Sequence, residues 1–245
     1  MAGSFFSVLV SRYQQTKSWL WGRSACPACH HQLRPWQLVP LLSWLWQAGR
    51  CHDCQKPISW RYPLFELIAA LGSAGLVWRF GWQWSTLALA LAWLWFSAAI
   101  YIDWQEQVVP DRLILPAIGW LVVAWLSGFQ VGELADLYLI LSLTGLTALL
   151  SLGSGERLMG SGDIGLVLWL SLYFGWPLGL IAFGLSFIIG TILVLPRLWT
   201  KKLGLKQAVS FGPFLWLAVV VVELWRPSFV AYVNWLSFGS SIGGY

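Results

Sequence analysis

The chain has 245 residues, of which 58% are hydrophobic and only 10% charged, with a mean hydropathy of +0.67 and a formal net charge of +5. An ordinary soluble domain carries about a quarter of its residues charged, so this composition excludes a soluble globular enzyme and describes an integral membrane protein. The net charge says little about nucleic acid, and none is expected as a partner; its distribution speaks to topology instead.

Met1 to Trp21 opens with a short apolar piece, Phe5 to Val10, and turns polar at Ser11-Arg12-Tyr13. That is too short to span a bilayer, which takes about 20 apolar residues. It also lacks a basic n-region and a cleavage site, so no signal peptide is expected and residues 1–21 read as an interfacial segment. Residues 22–62 are polar and hold all four cysteines and all three histidines. They read as a small soluble insert.

Apolar spans follow at about 64–78, 83–102, 113–127, 135–152, 164–176, 178–195 and 212–225, by the length criterion for membrane helices. The pair around Gly175-Trp176-Pro177 reads as a tight helical hairpin. Short polar links make residues 63–227 one polytopic helical domain, because a backbone in lipid must satisfy its own hydrogen bonds. The expected fold is therefore all-α, a membrane helical bundle of about seven spans with a cytoplasmic insert. Twenty tryptophans suit a protein with many membrane interfaces. The tail, residues 228–245, is aromatic and Gly-rich and reads as interfacial or loosely ordered.

Seven alternating spans put the insert and the links at 103–112, 153–163 and 196–211 on one side. Of the 15 Lys and Arg residues, all but Arg79 and Arg226 fall on that side. Such asymmetry marks the cytoplasmic face. Asp103 and Asp163 both come out on it.

Cys26-Pro27-Ala28-Cys29 and Cys51-His52-Asp53-Cys54 are two C-x-x-C knuckles separated by 21 residues. Each knuckle can aim two thiolates at one tetrahedral ion, and four soft sulfurs suit Zn²⁺ with no open position. Such a closed site is structural and supplies folding energy to a segment with little core. Disulfides are the alternative pairing, and a reducing cytoplasm opposes them. His30, His31 and His52 are spare ligand types that read as solvated.

Asp103 continues directly from an uncharged apolar run, and Asp163 opens another behind Gly160 and Gly162, which are expected to turn the backbone tightly and bring main-chain amides near the acid. A carboxylate beside hydrocarbon is costly and by default functional. Two such acids entering one membrane face at equal depth could meet across a helix interface. A close pair resists double ionisation in a low dielectric. One acid then takes a proton from water while the other hydrogen-bonds a peptide carbonyl, the chemistry of an aspartic protease. A proton channel or transporter also uses intramembrane acids, although transporters favour the midplane. Glu106 and Asp111, in the same link, read as hydrated.

Taken in order, the motifs resemble the type IV prepilin leader peptidases, membrane aspartic peptidases of the G-x-G-D class. The likeness rests on Gly3-Ser4-Phe5, Cys26-Pro27-Ala28-Cys29, Pro40-Leu41-Leu42-Ser43-Trp44 and Gly49-Arg50-Cys51-His52-Asp53-Cys54. It continues through Ile58-Ser59-Trp60-Arg61-Tyr62-Pro63-Leu64-Phe65-Glu66-Leu67, Ile102-Asp103, Gly160-Ser161-Gly162-Asp163 and Phe211-Gly212-Pro213-Phe214. The resemblance implies a catalytic dyad of Asp103 and Asp163 and zinc held by Cys26, Cys29, Cys51 and Cys54. It also implies a prepilin or pseudopilin substrate with a short basic leader, cut after a glycine at the cytoplasmic side. Many members then methylate the new N-terminal amine with S-adenosylmethionine. The chain departs from the pattern in three places. The membrane helix that usually precedes Gly-Ser-Phe is nearly absent from this sequence, Ser7 stands for an asparagine, and Gly165 stands for a lysine two residues after the second aspartate.

The resemblance also draws attention to four further residues. Glu66 sits inside a span one turn from Arg61, either as half of a structural ion pair or as a substrate contact. Gly212 and Pro213 either bring backbone close to a substrate or simply start a helix. No glycine-rich fingerprint for S-adenosylmethionine is visible, and no alternation of strands and helices would house a Rossmann unit. A non-catalytic assembly scaffold stands beside the peptidase and the transporter as a third reading, which Gly165 keeps open.

Overall fold

The computed structural model describes residues 26, 28–29, 31–39, 41–129, 134–156, 159–199 and 209–231. The segment expected at 1–21 and most of the tail lie outside them. The chain divides into two compact units, Met1–Gly75 and Leu76–Tyr245.

In the first unit a 3-10 turn, Pro35–Leu38, is followed by a short helix α1, Leu42–Trp46, and by most of α2, Arg61–Phe80. Each cysteine knuckle is a backbone-bonded turn. The Cys26 N–H donates to the His31 carbonyl and the Cys51 N–H to the Lys56 carbonyl, both at 2.9 Å. An antiparallel bridge joins Arg50 to Pro57 beside the second knuckle. Gly49, at φ +69°, lets the chain pass under the Trp44 ring. The Trp44 indole N–H reaches the Ile58 carbonyl at 3.3 Å.

The second unit holds α3 (Trp84–Glu106), α4 (Asp111–Leu126), α5 (Leu134–Ser154), α6 (Ser161–Phe174), α7 (Leu178–Trp199) and α8 (Gly212–Leu224). With α2 these occupy all seven segments expected to be apolar helices. Four of them, within α2, α3, α5 and α7, are long and apolar enough to cross a membrane; α4, α6 and α8 have 16, 14 and 13 residues. The chain is thus a polytopic helical membrane protein. Among the described residues no β-strand forms.

α3 is the centre of the bundle. Its 23 residues contain neither Gly nor Pro, so nothing interrupts its backbone ladder. Of its apolar window 78% is buried, against 22% for each of the other three long helices. α3 packs on α4 and α8, and α6 packs on α4, α5 and α7. Aromatic rings join α3, α6 and α8 through the interior. Trp93 stacks on Trp216 with centroids 6.0 Å apart, Phe96 lies on Trp169 at 3.8 Å, and Trp169 on Tyr173 at 5.0 Å. Trp93, Trp169 and Trp216 are thus core residues rather than interfacial anchors, and the Trp216 indole finds the Ser97 hydroxyl at 3.2 Å.

Beyond this aromatic core, at the C-terminal end of α8, Glu223 meets both cations assigned to the non-cytoplasmic side. Arg79 approaches it at 3.5 Å and Arg226 at 3.3 Å. The opposite end of the bundle, where α3 ends and α6 and α8 begin, carries the aspartates.

Candidate functional site

Asp103 lies one residue beyond the expected end of its span, yet the helix does not stop there. α3 continues a further turn to Glu106 and ends where Gln107 takes a left-handed conformation, its N–H donating to the Asp103 carbonyl at 2.8 Å. Trp104, Gln105 and Glu106 are polar or amphipathic but compatible with helix, so the change in hydropathy misplaces the boundary by one turn. The consequence is a rigid seat for Asp103. Only 4% of its surface is exposed, a burial that requires hydrogen-bonding partners. It finds them on the segment entering α8. The Ser210 hydroxyl donates to Asp103 Oδ2 at 2.7 Å and the Gly212 N–H to the same oxygen at 3.0 Å.

Gly212 is therefore a close-approach glycine. A Cβ there would collide with Asp103 Oδ2 and come to 3.0 Å from the Ile100 side chain. Pro213 occupies the start of α8, where its missing N–H costs nothing. Of the two roles raised for the Phe211-Gly212-Pro213 motif, the helix start is visible, and the Gly212 N–H is turned to the acid. Ser210 is the residue that sequence reasoning missed. The only signal was its position directly before that motif.

Asp163 is half-buried in the first turn of α6. Its Oδ2 accepts the Gly160 N–H at 3.1 Å, the reach of an acid in the first helical turn back to an orphan donor. Asp163, at the start of α6, and Asp103, at the end of α3, fall at the same end of the bundle, near enough for the charge on one to bear on the other. The glycines act as expected in one respect, since a main-chain amide, that of Gly160, reaches the acid, and not in the other. Gly160 has φ −68°, which any residue adopts, and Gly162 lies inside the helix. Gly162 is needed instead for packing, because a Cβ would sit 2.6 Å from the Val109 Cβ. Gly165 has the same character. A Cβ there would press on Ile114 of α4 at 3.2–3.3 Å, so the helix that carries Asp163 lies closer to α4 than a lysine at this position allows without movement of Ile114.

The four cysteine sulfurs all lie within 4.8 Å of one another. Cys26 Sγ and Cys54 Sγ are 3.9 Å apart, close to the roughly 3.8 Å that Zn–S bonds of about 2.3 Å impose on a tetrahedron. None of the four forms a disulfide. Burial pushes the Cys26 thiol up, but hydrogen bonds from the backbone of Cys29 and Ala28 outweigh it and bring it down to about 6, which readies one thiolate for a metal. The residues present therefore fit a closed structural zinc site. His31 and His52 are exposed and lie 3.9 and 3.7 Å from Asp53.

Glu66 belongs to the same unit as the cysteines. It is 6% exposed, and its Oε2 accepts the Leu41 N–H at 2.9 Å. Leu41 has φ +61° just before α1, so the carboxylate fixes the unusual backbone of Leu41 where the chain enters that helix. Arg61 begins α2, and its side chain lies outside the described residues.

The fold and the paired carboxylates define a polytopic membrane protein with a two-aspartate centre and a four-cysteine cluster. Comparison with known proteins is consistent with that class. The bacterial peptidase A24 N-terminal domain matches residues 1–80, and the type IV leader peptidase family matches residues 88–195. The prepilin leader peptidase/N-methyltransferase of Aeromonas hydrophila is 36% identical over 214 residues, covering 84% of this chain and 72% of that protein. The proteins of the same name from Pseudomonas aeruginosa and Neisseria gonorrhoeae are 34% and 30% identical, each covering 86% of this chain and 74% of theirs. No solved structure matches the chain at a significant level. The chain belongs to the type IV leader peptidase family.

Proposed function

We propose that this protein is an aspartic endopeptidase of the inner membrane. In this reading it removes the leader from type IV prepilins or pseudopilins at the cytoplasmic face and then methylates the exposed N-terminal amine. The observation that carries the reading is the placement of Asp103 and Asp163 at one end of the bundle, where α3 ends and α6 begins, in a chain of the leader peptidase family. Two neighbouring carboxylates share one proton. The ionised acid takes a proton from a water as its oxygen attacks the scissile carbonyl carbon, and the protonated acid gives its proton to the carbonyl oxygen. The Gly212 N–H, the Ser210 hydroxyl and the Gly160 N–H hold the carboxylates for that exchange. Collapse of the gem-diol breaks the C–N bond, sends one proton to the leaving amine and returns the other to the acid.

Cys26, Cys29, Cys51 and Cys54 would hold Zn²⁺, which supplies folding energy to the first unit. The predominance of Lys and Arg on the same side as the aspartates supports cytoplasmic placement of both. The name shared by the relatives implies S-adenosylmethionine as methyl donor. Among the described residues there is no parallel sheet to form a Rossmann site for it.

The test is processing of a full-length prepilin in proteoliposomes by Asp103→Asn and Asp163→Asn. Each is expected to leave the precursor uncut while zinc content and helicity stay at the parent level. Normal processing by either variant rejects the dyad.

A further inference from the structure

The two aspartates are chemically alike, and family membership alone does not say which of them activates water. Their surroundings differ. Asp103 Oδ2 accepts from the Ser210 hydroxyl at 2.7 Å and from the Gly212 N–H at 3.0 Å, whereas Asp163 Oδ2 accepts from the Gly160 N–H at 3.1 Å. Both acids lie at a helix N-terminus, Asp163 in the first turn of α6 and Asp103 against the first turn of α8, but Asp103 also sits in the last turn of α3, whose dipole opposes its charge, so helix dipoles do not favour ionising Asp103 over Asp163. The extra donor does. A hydrogen bond to a charged group favours the charged form by about tenfold or more. Asp103 is also the more enclosed of the two, so a charge there depends on those donors.

We infer that Ser210 is a positioning residue that makes Asp103 the ionised, water-activating member of the pair and leaves the proton on Asp163. The inference rests on the reading of this pair as a peptidase dyad. Both bonds to Asp103 fall on Oδ2, so Oδ1 is the oxygen assigned to the water. In the forward step Oδ1 takes the water proton, the water oxygen bonds to the carbonyl carbon, and the Asp163 proton passes to the carbonyl oxygen. In the return step the C–N bond breaks, the leaving amine takes the proton from Asp103, and a gem-diol hydroxyl returns one to Asp163.

The Ser210 hydroxyl also lies 3.1 Å from the Asp103 carbonyl oxygen, which defines the competing arrangement. If Asp103 carried the proton, it would donate to Ser210, and Ser210 would donate onward to that carbonyl. The two arrangements predict opposite effects of removing the hydroxyl. Besides Asp163 on α6, the titratable and charged groups on the elements around this end of α3 are Glu106 in its own last turn and Asp111 and Arg112 opening α4. The latter two are exposed, and all three are unchanged by the substitution.

The experiment is the pH profile of kcat/KM for prepilin cleavage by the full-length protein in proteoliposomes, for the parent, Ser210→Ala and Ser210→Thr. With Ser210 donating to an ionised Asp103, Ser210→Ala moves the acid limb upward by about one pH unit, so its loss is greatest at acid pH and shrinks as the pH rises. Ser210→Thr, which keeps the hydroxyl, restores the parent limb. An acid limb that is unmoved, or that moves downward, overturns the assignment while cleavage by the parent still upholds the dyad. A parent that cleaves nothing at any pH removes the dyad and this inference together. If Ser210→Ala does not fold, Ser210→Cys replaces it. The weaker thiol donor is then expected to give a smaller upward shift, and no shift overturns the assignment.

Discussion

The cysteine cluster and the aspartate pair both bring chemically reactive side chains to one end of a folded unit, yet they are built in opposite ways. Each half of the cysteine site is a single turn, closed by the Cys26-to-His31 and Cys51-to-Lys56 backbone bonds, and the two halves are 21 residues apart. The aspartate site has no such local core. Asp103 is held by groups 107 and 109 residues further along the chain, on the segment entering α8, and Asp163 comes from a third helix. A local site of this kind can be assembled by a metal, whereas the remote one exists only when the bundle is packed. Removing metal and altering helix packing are therefore expected to damage different units.

The largest effect falls on the remote site. Replacing either Asp103 or Asp163 by Asn is expected to lower cleavage by about 10²–10⁴-fold, read as prepilin turnover in vesicles, with bound zinc unchanged. Gly212→Ala comes next. The added methyl collides with Asp103 Oδ2, and displacement of a catalytic group by about 1 Å costs roughly 10²-fold. Turnover should fall accordingly while intrinsic helicity is retained. An unimpaired Gly212→Ala enzyme would mean that the N–H of Gly212 does not hold Asp103 in place.

Metal removal sharpens the comparison from the other side. Chelation, or Cys51→Ser, is expected to expose residues 26–60 to hydrogen exchange while α3, α6 and α8 keep their protection, because the zinc supplies folding energy only where its ligands lie. Equal loss of protection in both units would contradict their independence. The smallest expected effect is that of Glu66→Ala. It leaves the Leu41 N–H without the acceptor found at 2.9 Å, a local cost of about 1–3 kcal/mol, measurable as faster exchange at Leu41.

The same contrast explains what could be read from the sequence. The cysteine site was legible because its spacing is its structure. The seven helical segments were legible because hydropathy over 13 to 23 residues is a strong signal, and each expected span overlaps a helix. The ends were less so. α3 runs one turn past its apolar stretch, since Trp104-Gln105-Glu106 stay helical without being hydrophobic, and this turn is what makes the seat of Asp103 rigid. Gly160 and Gly162 were expected to make a tight turn and to bring main-chain amides to the acid, and only the second holds. Gly160 instead has an ordinary extended conformation, and Gly162 serves the approach to Val109. Neither role has a periodicity to reveal it. Ser210 escaped for the same reason, because a hydroxyl acquires meaning only from the acid that the fold puts beside it. Glu223, an acid at the end of an apolar helix, could have been paired in advance with Arg79 and Arg226, the two cations left on its side of the membrane.

The central claim is that the two acids cut a prepilin, and mass measurement tests it most directly. The purified protein in proteoliposomes is incubated with a full-length prepilin, with and without S-adenosylmethionine, and the intact products are weighed. The account predicts a product lacking the leader in both samples, a further methyl group only where the donor is present, and the uncut precursor with Asp103→Asn or Asp163→Asn. A precursor mass unchanged by the parent protein, or a product formed equally by either variant, would contradict it.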